Sequence, residues 1–81
     1  METVNVKELL SYIVSHLVSD QDAVRIETVE AGDTVTLQLR VAPDDMGKVI
    51  GRQGRIAKEI RTLIKSAGQR EDKKIMVDIL D

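Results

Sequence analysis

The first apolar positions of the chain recur with the spacing of an amphipathic helix. They follow the i, i+3, i+4, i+7 pattern that places side chains on one helical face. These positions are Val6, Leu9, Leu10, Ile13, Val14 and Leu17. Asn5 is suited to cap the first turn, and Glu8 three residues later completes a capping arrangement. The pattern predicts a helix that begins after Asn5 and packs one face on a core.

Two later segments alternate apolar and polar residues, as half-buried strands do. They are residues 24–28 and 35–41, and residues 31–33, Ala-Gly-Asp, have the composition of a short hairpin turn. Val29 interrupts the alternation of the first segment. The pattern therefore predicts a hairpin whose first strand ends early or bulges near Val29.

Residues 43–67 predict two helices that are separated by a glycine-containing loop. Residues 43–45, Pro-Asp-Asp, are expected to open a short helix with an Asp as its cap, and Gly51 is expected to end that helix after about Ile50. The next helix begins after Gly54, and its side chains form two arcs of about 120° each. The apolar arc contains Ile56, Ala57, Ile60, Leu63, Ile64 and Ala67, and the basic arc contains Arg55, Lys58, Arg61 and Lys65.

A final strand is predicted at residues 74–80, after a polar loop at 67–73. Its residues Ile75, Val77 and Ile79 lie on one side. The element order is helix, strand, strand, helix, helix, strand. Helices that cover one face of a three-stranded sheet would bury all of these apolar faces together. The pattern predicts an α+β fold, and 81 residues suffice for a single domain that spans residues 1–81.

Composition excludes several classes of protein. The chain has no cysteine, which removes disulfides and zinc–thiolate sites. Its first residues lack the basic start and apolar stretch of a secretion signal, and no apolar run approaches the ~20 residues of a membrane span. These features predict a small, soluble, cytoplasmic protein with no membrane association.

Charge is distributed unevenly along the chain, although the net charge is only −2. Residues 1–47 carry three Lys or Arg and nine Asp or Glu. Residues 48–65 carry six Lys or Arg and a single acidic residue, Glu59. Because local potential rather than total charge steers a polyanion, the basic segment is compatible with a nucleic-acid partner.

The basic segment contains a glycine loop between two predicted helices, Gly51-Arg52-Gln53-Gly54. Glycine permits positive φ and, without a Cβ, allows a foreign backbone to approach closely. The following helix directs its first N–H groups and its positive dipole end at this loop, where a phosphate fits. Arg52 adds a forked cation that can bind phosphate in bidentate fashion.

The stretch Val-Ile-Gly-Arg-Gln-Gly at residues 49–54, followed by Arg-Ile-Ala-Lys, resembles the VIGxxG core of KH domains. Element order and length resemble the type II KH arrangement, whose sheet is mixed, and the small single-domain bacterial KhpA-type proteins. In KH domains the GxxG loop clamps the backbone of about four nucleotides. The resemblance departs at Ala57, where many KH domains have a larger aliphatic residue; Ile56 beside it is expected to compensate.

The resemblance implies a set of RNA-binding residues. Gly51 and Gly54 would form the turn, Arg52 and Gln53 the exposed clamp, and residues 49–50 an apolar wall. The last strand around residues 75–77 and the loop 68–73 would border the groove opposite. The full set of implied RNA-binding residues is Lys48, Val49, Ile50, Gly51, Arg52, Gln53, Gly54, Arg55 and Lys58.

Other kinds of site are disfavoured by the residues present. The chain has one Tyr and no Phe or Trp, so it cannot build the aromatic platforms of RRM or OB folds. His16, the single histidine, is placed to interact with the end of the first helix and has no nucleophile beside it. Capping explains Asp44 and Asp45 better than a metal does. We therefore expect no enzyme activity, no metal, no cofactor and no small-molecule substrate.

Two hypotheses of function remain. The first is a non-catalytic protein that binds single-stranded RNA through its GxxG loop. The second is a subunit whose main surface binds another KH protein. The resemblance implies a homodimer, a possible heterodimer with a KhpB (Jag)-type KH protein, and a role as an RNA-chaperone-like post-transcriptional regulator of cell shape. Salt discriminates between the hypotheses, because phosphate binding weakens steeply with ionic strength.

Overall fold

The computed structural model describes residues 5–68 and 73–80. Its main elements are α1 (Val6–Ser15), β1 (Arg25–Ala31), β2 (Thr34–Arg40), α2 (Met46–Ile50), α3 (Arg55–Ala67) and β3 (Lys74–Leu80). Short 3-10 turns lie at Gln21–Ala23, Pro43–Asp45 and Arg52–Gly54. The predicted order of helices and strands is confirmed, and the last strand has the predicted bounds.

Helix α1 begins and ends on side-chain hydrogen bonds. At its start the Glu8 backbone N–H donates to Asn5 Oδ1 at 3.2 Å, which confirms Asn5 as the cap. At its end, His16 Nδ1 lies 2.8 Å from the Tyr12 carbonyl oxygen. The imidazole therefore satisfies a carbonyl of the last turn, which is the structural role expected from its position.

The three strands form one mixed sheet in the order β1-β2-β3. Strands β1 and β2 are antiparallel and are joined at Gly32, whose φ is 62°. Strand β3 is parallel to β2 and lies at the edge. The three-stranded mixed sheet of the type II arrangement is thus confirmed.

Strand β1 is longer and more regular than the sequence pattern predicted. It pairs with β2 residue by residue from Arg25–Arg40 to Ala31–Thr34, so the expected early end or bulge at Val29 is wrong. Val29 pairs with Thr36, and Thr36 pairs with Met76, so these residues form one row across the sheet. Val29 and Met76 are both exposed, because the helices cover only the other sheet face.

The core lies between that other face and the helices. Its buried apolar residues come from all three helices, from β2 and β3, and from the connection after α1: Leu10, Val14, Val18, Leu37, Leu39, Val49, Ala57, Ile60, Ile64, Ile75 and Val77. Helix α3 packs against β3, α2 and α1, and so occupies the centre of the helical layer. Across residues 5–68 and 73–80, none of the helices has the length and apolar character that crossing a membrane requires.

Helix α3 confirms most of its predicted apolar arc. Ala57, Ile60 and Ile64 are buried. Leu63 is 53% exposed, so its assignment to the core was wrong. It lies at the margin of the apolar arc, about 100° from Ile64, on the side of the helix that faces solvent.

Candidate nucleic-acid interface

The glycine loop has the left-handed backbone that its sequence predicted. Gly51 has φ 77° and ψ 176°, Gln53 has φ 59°, and Gly54 has φ 74°. Gln53 is the single non-glycine residue with positive φ among the described residues. The loop thus connects α2 to α3 with four residues.

Two backbone donors at the tip of the loop are open to a ligand. The Gly51 N–H donates to Gly47 O at 2.9 Å, and the Gly54 N–H donates to Gly51 O at 3.2 Å. Within the described part of the chain, the N–H groups of Arg52 and Gln53 donate to no protein acceptor. Both residues are exposed, so an anion can approach the two N–H groups from solvent.

Exposed cations surround these donors. Arg52 lies in the loop, and Arg55 and Lys58 lie on the first turn of α3; all three are exposed. Gly54 provides no side-chain cap to α3, which leaves the positive end of that helix dipole facing the loop. Two open N–H groups, the start of α3 and three exposed cations thus lie within residues 52–58, a combination that can accept an anion.

Lys48 differs from the other predicted RNA-binding cations because it is already bound within the protein. Its Nζ lies 3.1 Å from Asp45 Oδ1 and also donates to Ser19 Oγ. The Lys48 side chain is still 47% exposed. Its charge is nevertheless largely neutralised by Asp45.

Asp45 does not cap α2, although the sequence predicted a capping aspartate there. Its carboxylate is 3% exposed and Oδ2 accepts the backbone N–H of Asp20 at 3.0 Å. Hydrogen bonds from the backbone N–H groups of Asp20 and Ser19, with Lys48 as a further contributor, lower the pKa of Asp45. The Asp45 carboxylate therefore accepts hydrogen bonds from the segment that follows α1 and not from the first turn of α2.

The two predicted residues of the apolar wall have different surroundings. Val49 is completely buried in the core, so its side chain can support the predicted apolar wall only from within. Its neighbour Ile50 is 37% exposed and can contact a ligand. The difference follows from the short helix α2, which turns adjacent residues about 100° apart.

Strand β3 packs against α3, and a side chain joins the two elements. Arg61 Nε donates to the Val77 carbonyl oxygen at 3.2 Å. The sequence placed Arg61 in the basic arc but not in the binding site. Arg61 lies at the border between the basic and apolar arcs, and this position was the sequence feature that could have indicated a contact with β3. Of the loop predicted to border the groove, residues 69–72 lie outside the described residues.

Neither residues 5–68 nor residues 73–80 contain a group of three or more His, Asp or Glu that could hold a metal.

A mixed three-stranded sheet, together with a GxxG loop between α2 and α3, defines a KH domain of the type II arrangement. The sequence matches the KhpA/KhpB KH-domain family over residues 7–79. The chain belongs to that family.

Curated relatives span nearly the same length. The RNA-binding protein KhpA of Clostridium acetobutylicum is 50% identical over 74 residues, which cover 91% of this chain and 99% of the relative. The protein of that name from Caldanaerobacter subterraneus subsp. tengcongensis is 47% identical, with 90% of this chain and 97% of the relative covered. The Aquifex aeolicus relative, also named RNA-binding protein KhpA, is 39% identical over 93% of this chain and 95% of its own.

A solved structure supports the fold alone. The crystal structure of a variant of Era from Aquifex aeolicus aligns with a TM-score of 0.61 at 15% identity. The alignment covers 93% of this chain and 30% of the longer Era chain.

Proposed function

We propose that this chain is a non-catalytic protein that binds single-stranded RNA by clamping its phosphate backbone at Gly51–Gly54. The observation that carries the proposal is the loop tip, where the N–H groups of Arg52 and Gln53 have no acceptor among residues 5–68 and 73–80. A phosphate oxygen supplies that acceptor, and the exposed guanidinium of Arg52 supplies the counter-charge. The names of the KhpA relatives, which are RNA-binding proteins, support the same ligand.

The surroundings of the loop favour a single strand over a duplex. Ile50 offers an exposed aliphatic surface next to the glycines, on which an unstacked base can rest. Arg55 and Lys58 continue along α3 and can follow the backbone away from the loop. One such groove reads about four nucleotides, so base selectivity is expected to be modest.

A second function, binding another KH protein, is favoured by the exposed leucine of α3. Leu63 is 53% exposed on a helix whose other aliphatic side chains are buried or partly buried. We therefore propose that α3 contributes to a homodimer or to a heterodimer with a KhpB (Jag)-type protein. Two grooves in one assembly can raise avidity by about 10²–10⁴ without new contacts. In this proposal each chain is a single domain, and the dimer acts in the cytoplasm as a regulator of transcripts that affect cell shape.

The test is a variant with two carboxylates at the loop tip, Arg52→Asp with Gln53→Asp. Aspartate tolerates the left-handed backbone of Gln53, so the fold should survive with an unchanged circular dichroism spectrum. We expect binding of a short single-stranded RNA to be lost, because the new carboxylates repel phosphate and compete with it for the open N–H groups.

The matched control is Lys7→Glu with Ser11→Glu, which makes the same change in net charge on exposed positions of α1. It should reduce affinity by less than about threefold, since screening confines surface charges to about 10 Å at moderate salt. Equal loss of binding in the two variants would show that binding is diffuse electrostatics and that the loop has no special part in it.

A further inference from the structure

Asp45 is the single polar or charged residue that is buried among the described residues. A buried carboxylate is costly unless it is both hydrogen-bonded and paired with a charge. Asp45 meets both conditions, since Oδ2 accepts the N–H of Asp20 and Oδ1 pairs with Lys48. These contacts join the start of α2 to a connection that lies 25 residues earlier in the chain.

Helix α2 needs such a connection because it is very short. It has five residues, fewer than an isolated helix needs to persist, and Val49 is its single buried residue. One buried side chain fixes the depth of a helix in a core but leaves it able to rotate. Asp45 and Lys48 supply attachments at a second place, both to the connection after α1.

The orientation of α2 passes directly to the loop. Gly51 directly follows Ile50, and its N–H donates to Gly47 O, which continues the helical hydrogen-bond pattern of α2. A rotation of α2 would therefore move the open N–H groups of Arg52 and Gln53 relative to α3 and its cations.

We propose that Asp45 is a positioning residue for the RNA clamp, which it orients by fastening α2 and Lys48 to Ser19 and Asp20. The proposal rests on the proposed function, because affinity for RNA is its readout. It also assigns Lys48 a new role, as a partner of Asp45 that acts through the loop's position instead of contacting phosphate.

Electrostatics and positioning predict opposite signs for the same substitution. Asp45→Asn removes a negative charge and frees the Lys48 ammonium. If charge alone mattered, RNA affinity would rise. If Asp45 positions the loop, affinity falls by about tenfold, the effect of one lost hydrogen bond to a charged group. The direction of the change therefore decides between the two.

The experiment measures the affinity of a short single-stranded RNA for the wild type, Asp45→Asn and Asp44→Asn at one salt concentration. Asp44 is the exposed neighbour, so its substitution makes the same charge change without touching the buried contacts. We expect wild-type affinity or slightly tighter binding for Asp44→Asn and about tenfold weaker binding for Asp45→Asn. Unchanged or tighter binding by a folded Asp45→Asn overturns the proposal. A wild type that binds no RNA overturns the proposed function instead.

A general loss of stability is separated from loss of position by two further measurements. Ile26→Val, a half-buried change on β1, should lower the unfolding midpoint but leave RNA affinity unchanged. Amide NMR signals of Gly51 and Gly54 in the RNA-free protein report the loop directly. They should shift in Asp45→Asn and stay in place in Ile26→Val; unmoved signals in Asp45→Asn overturn the proposal.

If Asp45→Asn does not fold, Lys48→Gln provides the same test through a side chain that is 47% exposed. The positioning role predicts shifted Gly51 and Gly54 signals in the RNA-free protein, whereas a residue that only contacts phosphate leaves them unchanged. Where both variants fold, their combination should weaken binding by less than the product of the separate effects, because both act through one attachment. Multiplicative effects would refute the shared role.

Discussion

Gly51 and Gly54 offer a sharp test of the loop, because they share a positive φ but differ in their surroundings. A Cβ on Gly51 would lie 2.6 Å from Ile56 Cγ1 and 2.9 Å from Ile56 Cβ. A Cβ on Gly54 would meet nothing within 4 Å. Alanine at Gly51 therefore introduces a steric clash that alanine at Gly54 does not.

The expected magnitudes follow from these geometries. At Gly51 the combination of φ 77° and ψ 176° is a region that essentially only glycine occupies, which costs alanine about 1–3 kcal/mol. The clash adds about 1–3 kcal/mol, since the Ile56 Cβ cannot turn away by changing rotamer. We expect Gly51→Ala to lower the free energy of unfolding by about 4 kcal/mol. Gly54→Ala, in the ordinary left-handed region, should lower it by about 1 kcal/mol.

Urea unfolding followed by circular dichroism measures both losses. A loss of about 4 kcal/mol is a large part of the total stability expected for a domain of this size, so Gly51→Ala should be partly unfolded without denaturant. Adding Ile56→Ala removes Cγ1 and Cδ1 from the clash and should recover about 1 kcal/mol relative to additivity. Equal losses for the two glycine variants, within about 0.5 kcal/mol, would refute this account of the loop.

Three further outcomes are expected. Because the pKa of Asp45 is lowered in the folded protein, its carboxylate stabilises the fold above about pH 4, and this stabilisation is lost as the pH falls from the pKa of the unfolded state toward the lower pKa of the folded state. The urea midpoints of wild type and Asp45→Asn should converge over that pH range. A difference in midpoint that stays constant with pH would contradict the lowered pKa. Gly54→Val should weaken RNA binding more than Lys65→Ala in a gel-shift titration, because a β-branched side chain opposes the left-handed turn while Lys65 lies about three turns away; similar titrations would make the motif incidental. Leu63→Glu should convert the proposed dimer to a 9.0 kDa monomer in sedimentation equilibrium with little loss of stability, and a persisting dimer would place the interface elsewhere.

The sequence predicted those features that depend on neighbouring residues. The alternation in residues 74–80 predicted β3 to the residue, because one face of that strand packs on the core and the other does not. The glycines predicted the loop, because positive φ at Gly51 and Gly54 is a local requirement. Val29 led to the wrong prediction of an early end or bulge in β1, because an apolar residue is tolerated on the exposed outer face of the sheet.

The errors in the candidate site arose from contacts between distant parts of the chain. An aspartate just before a helix is equally compatible with capping and with a tertiary acceptor. Only the position of Asp20 next to Asp45 decides between them. Likewise, nothing in the local sequence indicates that Lys48, which is predicted to bind RNA, also contacts Asp45 and Ser19.

The charge of the chain explains why such positioning would matter here. With a net charge of −2 the protein has little general attraction for RNA, so affinity has to come from a few donors in the right place. A carboxylate just before the basic segment opposes phosphate binding unless it contributes more through geometry than it costs through charge. Asp45 limits that cost, because Lys48 neutralises it at 3.1 Å and burial keeps it from the surface where RNA would lie. The same pair that weakens the local positive potential thus holds α2 still, and accurate placement of the Arg52 and Gln53 N–H groups substitutes for charge that the chain does not have.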